Sequence, residues 1–526
     1  MVENARSPET LPSNSEHQVV LILDFGGQYT QLIARRVREI GVYCEIVAHD
    51  ITGDEVVAIG PVGLIFSGGP KGVYEDKAPQ PDARIYELGV PILGICYGMQ
   101  LAARQFGGKV ESSDTREYGR AEILRQDRGL LLEGLDQTQT VWMNHGDRVV
   151  TPPDGFVVTA SSAKIPIAAM EDRSRGIFCI QFHPEVSHTD YGTEILHNFL
   201  KQGCRAKADW SMKSYKEEAI DRIRSRVGKR RVLCALSGGV DSTVVAVLLR
   251  RALGDQVVAV FVDNGVLRKE EAATVLESLQ GKLGLTVIAV DARQRFLDQL
   301  KGVEDPEEKR RIIGRVFIEV FQEQADKEQE LQFLAQGTLY PDVIESASVK
   351  GPSAVIKTHH NVGGLPEKLG FDLIEPLRWL FKDEVRQLGR ELGIPEEFVG
   401  RHPFPGPGLA VRVLGEVTAE RVALLQSADS LFLEELRNAG YYDKVSQAFA
   451  VLLPVKSVGV MGDGRTYENV VALRAVSTQD FMTADWSHLP HDLLGHAANR
   501  IVNEVPGINR VVYDITSKPP GTIEWE

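Results

Sequence analysis

The sequence predicts an α/β protein of about three domains. Three observations lead there. At 526 residues the chain outgrows a single hydrophobic core, since domains run to roughly 100–200 residues. Short apolar runs alternate with helix-period patterns in two successive stretches, the pattern of parallel sheets covered by helices. A polar stretch at 201–216 and a Pro/Gly-dense stretch at 401–408 interrupt that alternation. Hydrophobic residues at 43% and charged residues at 25% are ordinary for a globular enzyme. They exclude a collagen, a mostly disordered chain and a small disulfide scaffold.

Along the chain, Met1 to His17 is polar, with two prolines and no apolar run. It reads as a flexible tail over 1–18, not a signal peptide. From 19 to 205, the buried strand Val19–Asp24, a helical pattern at Gln31–Ile40 and the apolar runs Gly63–Phe66 and Pro91–Ile95 predict a first α/β domain. Shorter β-like runs follow at Val141–Met143, Phe156–Ala160, Ile165–Met170 and Ile177–Phe182. Over 206–403, strands are predicted at Val232–Leu236, Val257–Val262, Thr286–Val290, Leu331–Ala335 and Ala354–Ile356. Helical patterns separate them, such as Thr243–Leu253 stopped by Gly254. Five strands with crossovers predict a doubly wound sheet with its ligand beyond the strand carboxyl ends. The segment Arg401–Gly408 cannot be regular structure. Beyond it, 404–526 predicts a small α+β domain: a helix near Glu420–Asn438, strands near Val455–Val460 and Val470–Ala475, a helix near Leu489–Val505, and a last strand Val511–Ile515.

A formal charge of −14 argues against a nucleic-acid or anionic-membrane partner. No apolar run reaches the roughly 18 residues that a spanning helix needs. Five cysteines without a CxxC pair or zinc-type spacing point away from a disulfide framework and toward a reducing, cytoplasmic compartment.

Two motifs carry chemistry. Gly94-Ile95-Cys96-Tyr97-Gly98-Met99-Gln100 lies between an apolar strand and a helical pattern. G-x-C-x-G there predicts a nucleophile elbow, its glycines permitting a tight turn that presents a thiol at a helix N-terminus. His183-Pro184-Glu185 follows a strand, so that Glu185 can orient and charge an imidazole able to take the thiol proton. Taken singly, each motif has a plain structural alternative: a buried cysteine among close-packed glycines, and a locally paired histidine. Together they predict Cys…His…Glu catalysis. This stretch, 19–205, resembles class I glutamine amidotransferase domains. The resemblance makes Ser67-Gly68-Gly69-Pro70 the oxyanion loop, with the N–H groups of Gly69 and Tyr97 as donors. It places Gln100, Asn144, His145, Gly146 and Asp147 at the glutamine pocket. The implied reaction is hydrolysis of the glutamine amide through a thioester, releasing ammonia.

The second motif is Ser237-Gly238-Gly239-Val240-Asp241-Ser242-Thr243, after one strand and opening a helix. Glycines let the backbone approach an anion, and hydroxyls with helix N–H groups bind phosphate oxygens. It lacks the Gly-Lys-Ser/Thr of a Walker A loop, and alone it is equally a tight turn. In context it resembles the PP-loop of ATP pyrophosphatases. Phe261–Gly265, Gly337–Asp342, Ile356–Asn361, Arg401–Gly408 and the terminal Ser517–Glu526 extend the resemblance, from about 19 to 526, to the glutamine-hydrolysing GMP synthase family. One departure is Gly27, where members often carry serine.

The family resemblance implies a class I amidotransferase domain, a PP-loop domain and a C-terminal dimerisation domain. It implies glutamine, ATP and xanthosine monophosphate (XMP) as substrates, Mg²⁺ with the ATP, and no organic prosthetic group. It adds Val262, Gly337, Lys357 and Lys382 to the ATP site. His359-His360 would belong to a lid over ATP. Arg310, Asp463, Lys518 and Glu524 would contact XMP, and Asp241 would be a ligand of Mg²⁺. Without the resemblance, Lys309–Arg311 would read as a solvated helix face. A homodimer built on the C-terminal strands is also implied, with the tail near the partner's substrate pocket in some members. Three alternatives stay open at this stage: an amidotransferase-fed NAD synthetase, a PP-loop tRNA thiolase, and a non-catalytic binding protein. Net charge and the absent CxxC speak against the thiolase, and the intact motifs against the last.

Overall fold

A computed structural model describes residues 17–126, 129–328, 330–347, 371–461, 464–478, 481 and 483–526. The expected tail, the expected strand Ala354–Ile356, and the residues Lys357, His359, His360 and Asp463 lie outside them. The chain forms two compact units, one ending at Ser211 and the other starting at Met212.

The first unit is built on one nine-stranded sheet of order β2-β1-β3-β4-β9-β8-β7-β5-β6. Its parallel half comprises β1 (Val19–Asp24), β2 (Tyr43–Ala48), β3 (Gly63–Phe66), β4 (Ile92–Ile95) and β9 (Ile177–Ile180). Both of its faces are covered, so β3, β4 and β9 are buried at every position and read as continuous apolar runs. The antiparallel half comprises β5 (Lys109–Arg125), β6 (Thr138–Thr151), β7 (Val157–Ser162) and β8 (Ala169–Asp172). The expected strand Ile165–Met170 starts only at Ala169. The Ser162 hydroxyl accepts from the N–H groups of Lys164 and Ile165 and closes a turn there. Register sets the site. Phe66 pairs with Gly94, and Ile95 with Ile180. The residues that follow β3, β4 and β9 therefore emerge side by side at one sheet edge. Helices α1 (Thr30–Glu39) and α2 (Tyr97–Gln105) start at the same edge, after β1 and β4.

The second unit holds a five-stranded parallel sheet of order β12-β11-β10-β13-β14. Its strands are β10 (Arg231–Leu236), β11 (Val257–Asp263), β12 (Val287–Asp291), β13 (Leu331–Ala335) and β14 (Asp372–Ile374). The chain order reverses between β10 and β13, which opens a crevice at their carboxyl ends. Helix α3 (Val240–Leu253) follows β10, α4 (Pro306–Ala325) precedes β13, and α5 (Lys382–Glu391) follows β14. Asp305 caps α4 by accepting from Glu308 N at 2.8 Å, and Pro306 at its first position needs no N–H partner.

The remaining chain adds α6 (Ala419–Asn438), β15 (Gln447–Met461), β16 (Gly464–Ser477), the short β17 (Asp485–Trp486), α7 (His491–Glu504) and β18 (Ile508–Tyr513). The boundary expected near 404 falls inside this unit. Leu233, Val260 and Leu334 of the parallel sheet share one buried cluster with Leu425, Phe432, Ala450 and Leu473 beyond it. Leu409 N also donates to Val266 O at 2.7 Å. The linker expected over 201–216 stops short, since a helix begins at Met212. All five cysteines are buried and unpaired with one another. Among the described residues, no helix is long and apolar enough to cross a membrane.

Candidate active site

Cys96 is the only residue between β4 and α2. Its backbone sits at φ 53°, ψ −100°, a conformation costly for a residue with a side chain and retained only where the surroundings enforce it. They do so here. Cys96 N donates to Ile180 O at 2.8 Å. A Cβ on Gly94 would lie 2.7 Å from the Gly98 backbone, and one on Gly98 would lie 2.5 Å from Phe66 O. Both glycines are therefore what lets strand, elbow and helix approach so closely. Gly98→Ala is expected to push α2 off β3, costing about 1–3 kcal/mol of overpacking and most glutamine-dependent turnover. Thermal unfolding and a glutaminase assay on the variant check both.

The Cys96 sulfur lies 3.7 Å from Asn144 O and 3.6 Å from Gln181 Nε2. His183 Nδ1 and Glu185 Oε1 are 2.7 Å apart, and both side chains are buried. Burial alone would disfavour the imidazolium, but the Glu185 carboxylate and the Cys96 sulfur outweigh it and raise the His183 pKa. Nδ1 is taken by Glu185, so Nε2 is the nitrogen left for the sulfur. The Ser67–Pro70 loop folds over this group. A Cβ on Gly68 would lie 3.3 Å from His183 Cε1 and 4.0 Å from Cys96 Cβ, and one on Gly69 would lie 3.0 Å from the Tyr97 ring. Among the described residues, no acceptor takes the N–H of Gly69 or Tyr97. Gly27 packs against this loop so tightly that a Cβ there would overlap Gly68 O. The departure from serine at 27 thus coincides with a close approach.

Gln100 is buried, and its Nε2 donates to Asp147 O at 2.8 Å. A Cβ on Gly72 would overlap the Asp147 carboxylate, which puts that group just beyond the Ser67–Pro70 loop. His145 lies 3.5 Å from Glu117 of β5. Burial lowers the His145 pKa to about 4 and raises that of Glu117, so both tend to neutrality. Gly146 completes the β6 segment. Three further contacts were not legible in the motifs. The Tyr29 ring meets the His183 ring edge-on at 5.0 Å. Arg36 Nε donates to Glu185 O at 3.1 Å. Gln181 reaches the sulfur. Helical periodicity found α1 but does not say which of its residues touch the site. Gln181, a polar residue closing an apolar strand just before His183, was the available signal.

In the second unit, Ser237–Thr243 turns from β10 into α3 at the crevice, with Gly238 at φ 76°. Ser237 Oγ and Ser242 Oγ are 3.1 Å apart, and the hydroxyls of Ser242 and Thr243 donate to Gly239 O at 3.1 and 2.9 Å. The hydroxyls thus line the N-terminus of α3, with Val240 as its first residue. Lys382 Nζ donates to Asp241 Oδ2 at 2.5 Å, whereas Asp241 Oδ1 is buried with no hydrogen-bond partner among the described residues. Gly337, just after β13, faces Asp241 across the crevice, where a Cβ would lie 3.4 Å from that of Asp241. Val262 is buried in β11 opposite Val290. Among the described residues, no group of three or more His, Cys, Asp or Glu could hold a metal ion by itself. The orphaned Asp241 Oδ1 nevertheless suits a cation brought in on a triphosphate.

The terminal segment is pinned by buried cations. Arg310 donates to Glu526 O at 2.6 Å. Arg412 grips Glu524 at 3.0 and 2.8 Å, and Gln447 adds a bond to Glu524 at 2.7 Å. Arg474 donates to Asp514 and to the carbonyls of Thr516, Thr522 and Ile523. Lys518 Nζ donates to Phe481 O at 2.7 Å. A solvated face describes Arg311 but not Lys309, which is fully buried and donates to Ala410 O, Val413 O and Glu526. Arg412 and Arg474 went unremarked, although each interrupts an apolar run. Glu524→Ala would leave the Arg412 guanidinium buried without its carboxylate. It is expected to cost about 3–5 kcal/mol, read as a lower unfolding midpoint.

An elbow cysteine with a His–Glu pair makes the first unit an amide hydrolase of the glutamine amidotransferase kind. The turn at the switch point makes the second a nucleotide-binding partner. Comparison with known proteins agrees. Residues 21–202 match the model of glutamine amidotransferase class-I, 214–311 that of NAD synthase, and 434–525 that of the GMP synthase C terminal domain. Full-length relatives include "GMP synthase [glutamine-hydrolyzing]" of Thiobacillus denitrificans, 59% identical over 97% of this chain and 100% of the relative. Those of Azoarcus sp. and Carboxydothermus hydrogenoformans are 58% and 56% identical, over 97% and 96% of this chain and 100% and 99% of theirs. The chain belongs to the glutamine-hydrolysing GMP synthase family. The C-terminal match and the full-length coverage set aside the NAD synthetase and thiolase alternatives.

Proposed function

We propose the following division of labour for an enzyme that aminates XMP to GMP with glutamine as nitrogen donor. The Cys96 thiol gives its proton to His183 Nε2 and attacks the side-chain amide of glutamine. Glu185 holds the imidazolium, and the N–H groups of Gly69 and Tyr97 take the oxyanion. Gln100 and the segment Asn144–Asp147 bind the amino acid. Collapse of the intermediate expels ammonia, and water then releases glutamate from the thioester. In the second unit, Ser237–Thr243 cradle the phosphates of ATP, with Val262 and Gly337 lining the site and Lys382 and Lys357 countering charge on the leaving pyrophosphate. XMP attacks the α-phosphorus through its base oxygen, and ammonia then displaces AMP. Asp241 would hold Mg²⁺, which when bound neutralises the departing pyrophosphate. Arg310, Lys518, Asp463 and Glu524 serve XMP, Glu524 through its hold on Arg412. The observation that carries the reading is that one chain places each of these two sites at the carboxyl edge of its own parallel sheet. The test is amide-¹⁵N glutamine with ATP and XMP. Label in GMP together with stoichiometric AMP supports the reading, and AMP formation independent of XMP counts against it.

We also propose a homodimer formed through the C-terminal sheet. Val458 and Tyr467 are cross-strand partners on β15 and β16, and both are exposed, as are Val455 and Val460. Such an apolar patch on a sheet suits a two-fold, self-complementary contact. Tyr467→Asp is expected to halve the sedimenting mass. A single-chain mass for the unsubstituted protein at micromolar concentration would refute the dimer.

A further inference from the structure

The Cys96 sulfur has two neighbours besides His183, and they respond oppositely to its charge. Asn144 O, at 3.7 Å, can only accept. It suits the thiol, whose S–H it can take, and opposes a thiolate. Gln181 Nε2, at 3.6 Å, can donate, and a donor to sulfur strengthens when the sulfur becomes an anion. Gln181 is fully buried, and its position is fixed through the backbone. Gln181 N donates to Ala168 O at 2.9 Å, and the preceding carbonyl, Ile180 O, accepts from Cys96 N at 2.8 Å. The amide thus hangs from the residue next to Ile180, whose carbonyl holds the elbow. Its Oε1 is buried with no hydrogen-bond partner among the described residues. A buried amide with an unmet acceptor costs stability, and the contact at sulfur is its one polar engagement. Turning the amide over would set Oε1 against the sulfur, which a thiolate repels, so the reactive form selects the donating orientation.

We infer that Gln181 is a further catalytic residue of the glutaminase reaction, its side-chain amide donating to the Cys96 thiolate before attack and to the same sulfur when it is expelled from the thioester. The step balances. The thiol proton goes to His183 Nε2, the sulfur lone pair forms the C–S bond, and the Gln181 N–H is neither lost nor transferred. The other buried titratable groups of the site are His183 with Glu185 behind it, and His145 of β6 with Glu117 of β5. None of these is an uncharged donor fixed on the sulfur, so none duplicates what Gln181 supplies. The inference rests on Cys96 being the nucleophile.

The test uses the full chain and iodoacetamide, with Cys96→Ala as the background for the other cysteines. The rate of Cys96 alkylation is followed against pH for the unsubstituted protein, Gln181→Met and Gln181→Glu. Thermal unfolding of each variant is the control for folding of the first unit, and ammonium-dependent GMP formation for the second. Methionine keeps the length and loses the donor. Glutamate keeps the shape and sets an acceptor against the sulfur. The alkylation midpoint is expected to rise by about one pH unit in Gln181→Met and further in Gln181→Glu, the size of one lost charge-assisted hydrogen bond. The kcat/KM for glutamine should fall about tenfold in the first, with ammonium-dependent synthesis unchanged. A midpoint that stays or falls in either folded variant overturns the inference. So does a lost or markedly lowered unfolding transition in both, which would make Gln181 a packing residue. If alkylation of the unsubstituted protein left glutamine-dependent activity intact, the nucleophile assignment itself would fail, a result distinct from either of these.

Discussion

Cys96→Ala is expected to abolish glutamine-dependent GMP formation and to leave ammonium-dependent formation at its original rate. The sulfur is the one atom the substitution removes. The Cβ stays, and so do the bond from Cys96 N to Ile180 O and the glycine contacts that enforce the elbow. Alanine at φ 53° is no more strained than cysteine, so the first unit should keep its fold. Without a nucleophile, the proposed oxyanion donors Gly69 and Tyr97 would still be in place, but no thioester could form. A fall of roughly 10⁴-fold or more is what loss of a catalytic nucleophile costs. Added ammonium bypasses the step, because the phosphate loop lies in the other compact unit. Paired assays with glutamine and with ammonium chloride read both arms. Loss of both would give Cys96 a structural role instead.

How much of this was legible in the sequence depends on the kind of contact. Strands β1, β3, β4 and β9 were readable because burial on both faces forces continuous apolar runs. The elbow was readable because its glycines sit where a Cβ would come within 3 Å of neighbouring backbone, which no other residue tolerates. The His183–Glu185 pair is local, two residues apart, and so is visible in one dimension. Contacts made at long range were not. Tyr29, just before α1, and Arg36 within it reach His183 and Glu185 across more than a hundred residues, and nothing in their spacing says so. The four cations holding the terminal segment show the same limit. Lys309 sits in a charge run that suggests solvent, yet it is buried, because Glu526 comes to it from 217 positions away. The boundary expected near 404 failed to divide the core for a related reason. A Pro/Gly segment breaks regular structure, but it does not prevent the elements on either side from sharing buried surface.

Asp241→Asn is expected to abolish GMP formation from either nitrogen source, the opposite pattern to Cys96→Ala. Asp241 is the second residue of α3, where the helix dipole and the hydroxyls of Ser237 and Ser242 favour an anion. Its Oδ2 is held by Lys382 at 2.5 Å, and among the described residues its buried Oδ1 has no partner. The carboxylate therefore fixes the lysine beside the loop and, on the proposed reading, would offer its other oxygen to a cation on the triphosphate. Asparagine preserves the shape, so α3 should form unchanged. It removes the charge that holds Lys382 and, at one of its two positions, replaces an acceptor with a donor. Stabilisation of the departing pyrophosphate is lost at that point, and a single misplaced electrostatic contact of this sort costs roughly 10²–10³-fold in rate. Adenylation precedes amination, so neither glutamine nor ammonium can rescue it. Pyrophosphate release in the presence of ATP and XMP is the direct measurement, and release at the original rate would remove Asp241 from the mechanism. The same variant reports on coupling between the units. Glutamine hydrolysis at full rate would mean that the first site works without reference to the second. Hydrolysis that falls with adenylation would mean that nucleotide occupancy favours the active arrangement of the first site, with the ratio of the two rates measuring how strongly.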